Sequence, residues 1–197
     1  NTSSSGNKEF YGMQASNGIL KATAKNINLT TNAENGQASS LYTTNAANIN
    51  LSADNISINS TGKSNINAIS ASSKNSTITI NANNIISLEA TSNSNNANAI
   101  QANYGTVNVE GSTIKLNTTT EGAEENALAT SINAKYGANV ALTADNVDMV
   151  TTTNNAGQAI GIYTSDNDSY KDTNVTVNAD NIKLTANADN GSLASAT

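Results

Sequence analysis

The sequence predicts an all-β fold, a right-handed parallel β-helix of about six coils, each of ~29 residues with three short strands. Three observations carry the prediction. The motif Asn-Ile-x-Leu and its variants return at Asn26, Asn55, Asn84, Asn146 and Asn181, with Thr113 standing in once, at intervals of 29, 29, 29, 33 and 35 residues. Within each repeat, apolar residues alternate with polar ones at period two and are largely β-branched, which marks strands with one buried face. No stretch shows the 3.6-residue apolar stripe of an amphipathic helix, which excludes an array of β-α units.

The first strand of each coil centres on a large apolar residue: Met13, Leu41, Ile69, Ile100, Ile132 and Ile162. An Ala or Thr two positions later completes its inward set. Two further strands follow as apolar pairs. They are Leu20/Ala22 then Ile27/Leu29, Ile49/Leu51 then Ile56/Ile58, Ile78/Ile80 then Ile85/Leu88, Val107/Val109 then Ile114/Leu116, Val140/Leu142 then Val147/Met149, and Val175/Val177 then Ile182/Leu184. The third coil is one residue longer between its first and last apolar positions, and Ile86 reads as a one-residue bulge.

The recurring Asn before the last pair is read as structural. Asn tolerates the left-handed conformation of a tight turn, and its amide can bond to the Asn one coil away, so the column should form a ladder that Thr113 interrupts. Stacked at ~4.8 Å, six coils make a rod ~30 Å long whose coils depend on their neighbours for burial. Residues 1–197 are therefore expected to form a single solenoid domain, a fragment of a longer repeat array.

Composition removes many chemistries. The 197 residues include 37 Asn but no Cys, His, Trp, Pro or Arg, and all nine basic residues are Lys. No Ser/His/Asp or Cys/His centre, His-bearing zinc site or thiolate can be built from these residue types. A net charge of −6 without Arg argues against a nucleic-acid partner, whose phosphates need a basic stripe.

Two insertions interrupt the period, and loops on a regular scaffold are where binding residues concentrate. The longer connection between Leu116 and Ile132 holds Glu121, Glu124 and Glu125. The one between Ile162 and Val175 reads Ser-Asp-Asn-Asp-Ser-Tyr-Lys-Asp-Thr. Its Asp166, Asp168 and Asp172 have the D-x-D-x-x-x-D spacing that can bring hard oxygen ligands to calcium, without the Gly and terminal Glu of an EF-hand. Calcium is the one cofactor this chain suggests; a solvated acidic loop is the alternative. Asp145 and Asp180 should stack in adjacent coils as solvated turn residues.

Among the aromatic residues, Tyr42 and Tyr163 fall at the outward position of the first strand. Tyr104 and Tyr136 share one turn in neighbouring coils and should stack, while Phe10 and Tyr11 should cover the first coil or continue a preceding one. Tyr42, Tyr163, Tyr170, Glu121, Glu124 and Glu125 are the candidate binding surface.

Coils of the form Asn-Ile-x-Leu-x-Ala-Asp-Asn-Ile-x-Leu, with Ala, Thr and Asn between them and no Cys, resemble the parallel β-helix passenger regions of Gram-negative autotransporters and filamentous-haemagglutinin-like adhesins. The likeness covers nearly the whole chain and is one of repeat style. It implies a passenger displayed at the bacterial cell surface, tethered to the outer membrane by a C-terminal β-barrel that lies outside this sequence. It also implies attachment to a host-cell receptor protein or glycan, or self-association in autoaggregation and biofilm. Two other readings stay open: a spacer stalk of a larger adhesin, and a polysaccharide-degrading β-helix enzyme. An enzyme would need paired carboxyl groups and a cation against developing charge, whereas the strand faces here carry mainly Asn, Ser and Thr.

Overall fold

The computed structural model describes residues 2–4, 9–122, 127–155, 157–189 and 193–196. Among these there is no helix, and every ladder between strands is parallel. After β1 (Thr2–Ser4), the first coil holds β2 (Phe10–Ser16), β3 (Ile19–Thr23) and β4 (Asn26–Ala33). The second holds β5 (Ala38–Thr44) and β6 (Asn48–Gly62), and the third β7 (Ile66–Ala71) and β8 (Thr77–Ser92). The fourth holds β9 (Ala97–Asn103), β10 (Thr106–Glu110) and β11 (Thr113–Thr120), and the fifth β12 (Leu128–Lys135) and β13 (Asn139–Thr153). The last strands are β14 (Gln158–Ser165), β15 (Asn174–Ala188) and β16 (Leu193–Ser195).

The chain is a parallel β-solenoid. Met13, Leu41, Ile69, Ile100, Ile132 and Ile162 stand in register along a sheet ordered β2-β5-β7-β9-β12-β14-β16. The solenoid has about five turns, slightly fewer than the six coils the motif predicts. The remaining strands form one second sheet. In β6, β8, β13 and β15 the second and third short strands read from the sequence run together as one bent strand; only β3/β4 and β10/β11 stay separate. At the bend of β6, Asp54 and Asn55 both turn away from the core, which breaks the alternation without breaking the ladder.

Ile49, Leu51, Ile56 and Ile58 are fully buried, as are their counterparts in the third and fourth coils. Each such side chain contributes about 1.5–3 kcal/mol through burial. A smaller cluster of Ala33, Ala38, Ile66, Ala90 and Ala97 fills a second corner, against which Phe10 packs. Ile19 is exposed because it stands on the outward rung of Asn48, whereas Ile182, on the inward rung of Val147, is exposed because its coil is the last.

Two readings of the motif are corrected. In the third coil Ile86, not Ile85, is the inward residue: Ile86 pairs with Ile56 and Ile114 and is 0% exposed, whereas Ile85 is 43% exposed. The register shift falls opposite Ala53/Asn55, so the extra residue lies in the Asn83–Asn84 stretch and carries Ile85 onto the rung of Asn55. Neither Asn26, Asn55, Asn146 nor Asn181 takes a left-handed backbone. That conformation belongs to another corner, at Asn17, Asn45, Asn75, Tyr104 and Tyr136, each between the first strand of its coil and the next strand.

Candidate functional site

The first-strand sheet has an irregularity that shapes its outer surface. In β5, Ser40 and Leu41 both point inward: Leu41 joins the core, and Ser40 Oγ lies 2.7 Å from Ser60 Oγ and donates to Thr31 Oγ1 at 2.9 Å. Every ladder from β2 to β14 skips the equivalent position, as between the pairs Ser39↔Asn67 and Leu41↔Ile69. Two adjacent inward residues fold the strand so that the outward residues on either side of them approach one another. The result is a groove running along the solenoid axis.

One wall of the groove is the register column Tyr11, Ser39, Asn67, Asn98 and Thr130. The other is Gln14, Tyr42, Ser70, Gln101, Asn133 and Tyr163. The walls meet across the groove. Tyr11 stacks on Tyr42 with ring centroids 4.3 Å apart, and Asn133 Nδ2 donates to Asn98 Oδ1 at 3.0 Å. Asn98 Nδ2 donates in turn to Asn67 Oδ1 at 2.9 Å, and Asn67 Nδ2 to Ser39 Oγ at 3.2 Å. Asn67, Asn98 and Asn133 are only 7%, 2% and 4% exposed, so this chain of amides satisfies polar groups that would otherwise be costly to bury. Asn133 Oδ1 ends the chain as a buried acceptor without a partner among the described residues.

Between Tyr42 and Gln101 the small side chain of Ser70 leaves a cavity of about 180 Å³, also lined by Tyr11, Ser39 and Asn67. At its edge the Tyr11 hydroxyl donates to Glu9 Oε2 at 2.5 Å. Burial, then the bond to the Glu9 carboxylate, hold the Tyr11 phenol well above its ordinary value, so it stays protonated and donating. At the far end of the groove Lys135 Nζ lies 5.0 Å from the centre of the Tyr163 ring, a cation–π contact.

The binding residues read from the sequence occupy three separate places. Tyr42 and Tyr163 share one wall of the groove, four rungs apart. Tyr170 lies at the left-handed corner, where Tyr104 and Tyr136 stack at 5.1 Å as anticipated and Tyr170 meets Tyr104 edge-on at 4.7 Å. Glu121 faces solvent on another side and accepts from Asn154 Nδ2 at 2.8 Å; Glu124 and Glu125 lie outside the described residues.

Asp166, Asp168 and Asp172 are not brought together as a group that could hold a metal ion, and none of three or more such ligands occurs among the described residues. The carboxylate of Asp166 is committed to its own loop and to the coil before it. It accepts from the Thr173 hydroxyl, and its Oδ1 accepts from the Gly137 N–H at 3.3 Å. These bonds, the Thr173 hydroxyl first, hold it below the usual carboxylate range. Asn167 Oδ1 accepts from the Ser169 and Tyr170 N–H groups, closing a tight turn that presents Tyr170. Asp145 and Asp180, one coil apart as anticipated, border an open polar cleft with Glu110.

The groove was not read from the sequence. Its signal is a pair of outward polar or aromatic residues three apart, Ser39/Tyr42, Asn67/Ser70 and Asn98/Gln101, where strict alternation would put them two apart.

Fold and groove together define a β-solenoid with polar and aromatic columns on its outer face. No family model, no curated protein and no solved structure matches this chain.

Proposed function

We propose that this solenoid is a non-catalytic binding scaffold, the surface-displayed passenger portion of a bacterial adhesin that engages a host-cell receptor or another copy of itself. The observation that carries the reading is the groove. A solenoid repeats its outer residues once per coil, so a single polar or aromatic position becomes a column, and two columns facing each other become an extended recognition surface. Each hydrogen bond it could offer contributes only ~0.5–1.5 kcal/mol net, so strength would come from number. Attachment and self-association both use such a surface, and the resemblance in repeat style to autotransporter passengers favours display at the cell surface through an outer-membrane anchor.

The regular 29-residue spacing of the first coils favours a second reading, a spacer stalk. Bacteria displaying the chain through a heterologous outer-membrane anchor separate the two. Adherence to host-cell monolayers or autoaggregation above that of anchor-only cells supports the scaffold; behaviour indistinguishable from anchor-only cells supports the stalk.

A further inference from the structure

We propose that the cavity between Tyr42 and Gln101, floored by Asn67 and opened by Ser70, binds one ring of an uncharged oligosaccharide whose chain runs along the groove. The inference deepens the binding-scaffold reading and rests on it. Tyr11 in the first coil covers one face of the Tyr42 ring, so the other face looks along the axis toward the third coil. There the register partner is Ser70, too small to fill the space that a ring would otherwise occupy. An aromatic face beside an unfilled polar niche suits the C–H face of a pyranose, which is apolar on its flat side and hydroxylated at its rim.

The rim chemistry agrees. Ser70 Oγ donates to Gln101 Oε1 at 3.4 Å, which leaves the Gln101 Nε2 hydrogens to donate and the Ser70 lone pairs to accept, the two roles that sugar hydroxyls complement. Asn67 and Ser70 are more than nine-tenths buried, and Asn67 is fixed on both sides by Ser39 and Asn98, so the floor is preorganised. Among the described residues of the lining the one charged group is the Glu9 carboxylate, which disfavours uronates, sulfated glycans and phosphates. A volume of about 180 Å³ is below the ~300 Å³ at which drug-sized pockets begin, so the niche takes a single ring while the flanking rungs meet the rest of the chain.

The occupant's shape follows from the scaffold. Rungs repeat every ~4.8 Å, close to the advance of one β-linked pyranose, so a straight glycan meets equivalent positions coil after coil. An extended peptide would bind by adding to a free strand edge. Here β5, β7, β9 and β12 are paired on both sides, and the groove offers side chains alone.

The test titrates the purified 197-residue chain with cellohexaose, xylohexaose and mannohexaose, with hexagalacturonate as the anionic control, followed by amide chemical shifts and calorimetry. At least one neutral hexamer is expected to bind and shift the side-chain amides of Asn67 and Gln101, with hexagalacturonate at least tenfold weaker. Ser70→Gln, which fills the niche from its outer side, is expected to weaken binding at least tenfold, and Tyr42→Ala likewise, while circular dichroism stays that of the parent. Failure of all three neutral hexamers, preference for hexagalacturonate, or undiminished binding by a folded Ser70→Gln variant would overturn the assignment. If displaying cells adhere although no neutral hexamer binds, the glycan assignment fails and the scaffold reading stands. If a hexamer binds but displaying cells neither adhere nor aggregate, the adhesin reading fails instead.

Discussion

Ile85 occupies, in the third coil, the rung that Asn55 occupies in the second. The ladder of exposed Asn side chains is therefore broken twice in succession, at Ile85 and at Thr113, and survives as two bonded pairs. Asn55 Nδ2 donates to Asn26 Oδ1 at 3.0 Å, and Asn181 Nδ2 to Asn146 Oδ1 at 3.1 Å.

Restoring one missing link should stabilise the rod slightly. Thr113 stands in register with Asn146, so Thr113→Asn is expected to add one amide bond and about 0.5–1 kcal/mol, read as a higher urea midpoint at unchanged slope. A lower midpoint would show that the exposed ladder contributes nothing.

The bulge makes neighbouring isoleucines unequal. Ile86→Ala should cost about 2–5 kcal/mol as a core truncation, and Ile85→Ala, on a half-exposed side chain, less than about 1 kcal/mol. Equal losses, or the reverse order, in urea unfolding would refute the register assigned here.

Close backbone approach should make Gly62 intolerant. A Cβ there would lie 2.5 Å from the Ala33 carbonyl oxygen and 2.7 Å from Ile66 Cδ1, so Gly62→Ala is expected to cost about 1–3 kcal/mol through overpacking. At Gly18 the nearest atom is 3.9 Å away, and Gly18→Ala should leave stability unchanged or raise it by about 0.4–1 kcal/mol. Thermal unfolding of both variants makes the comparison.

Two ionisable groups set opposite pH limits. Tyr11 is raised in the fold, so its contribution is complete below the ordinary phenol value of about 10 and is lost as pH climbs toward the folded value. Asp166 is lowered, so its contribution is present above the ordinary value of 3.8 and is lost as pH falls through the folded value. Tyr11→Phe should flatten stability above about pH 10, and Asp166→Asn should flatten it below about pH 4. Parent-like pH profiles in these variants would argue against the two hydrogen bonds.

The tiers were legible because stacking sets equivalent residues one above another, and the column from Met13 to Ile162 stays in register although the intervals along it vary. The register of Ile85 and Ile86 was not, because two adjacent isoleucines satisfy the same local pattern and only Ile56 and Ile114 on either side decide between them. The left-handed corner carried a signal in Asn17-Gly18, Tyr104-Gly105 and Tyr136-Gly137, but the more conspicuous repeated Asn drew the assignment to the wrong bend. Tyr42 and Tyr163 were seen as outward; Asn67, Asn98 and Asn133 were not seen as a groove, because their burial arises from a fold in the strand rather than from alternation.

The buried amide chain points one way. Asn133 gives to Asn98, Asn98 to Asn67, and Asn67 to Ser39, with Ser39 as the last acceptor and, among the described residues, no donor to the Asn133 oxygen. Such a series is extensible in the manner of a copied paragraph: a duplicated coil bearing Asn at this position inserts as one more link, while both ends keep the neighbours they had. A lineage could lengthen or shorten the rod by unequal recombination between coils without having to reinvent what closes the series at either end.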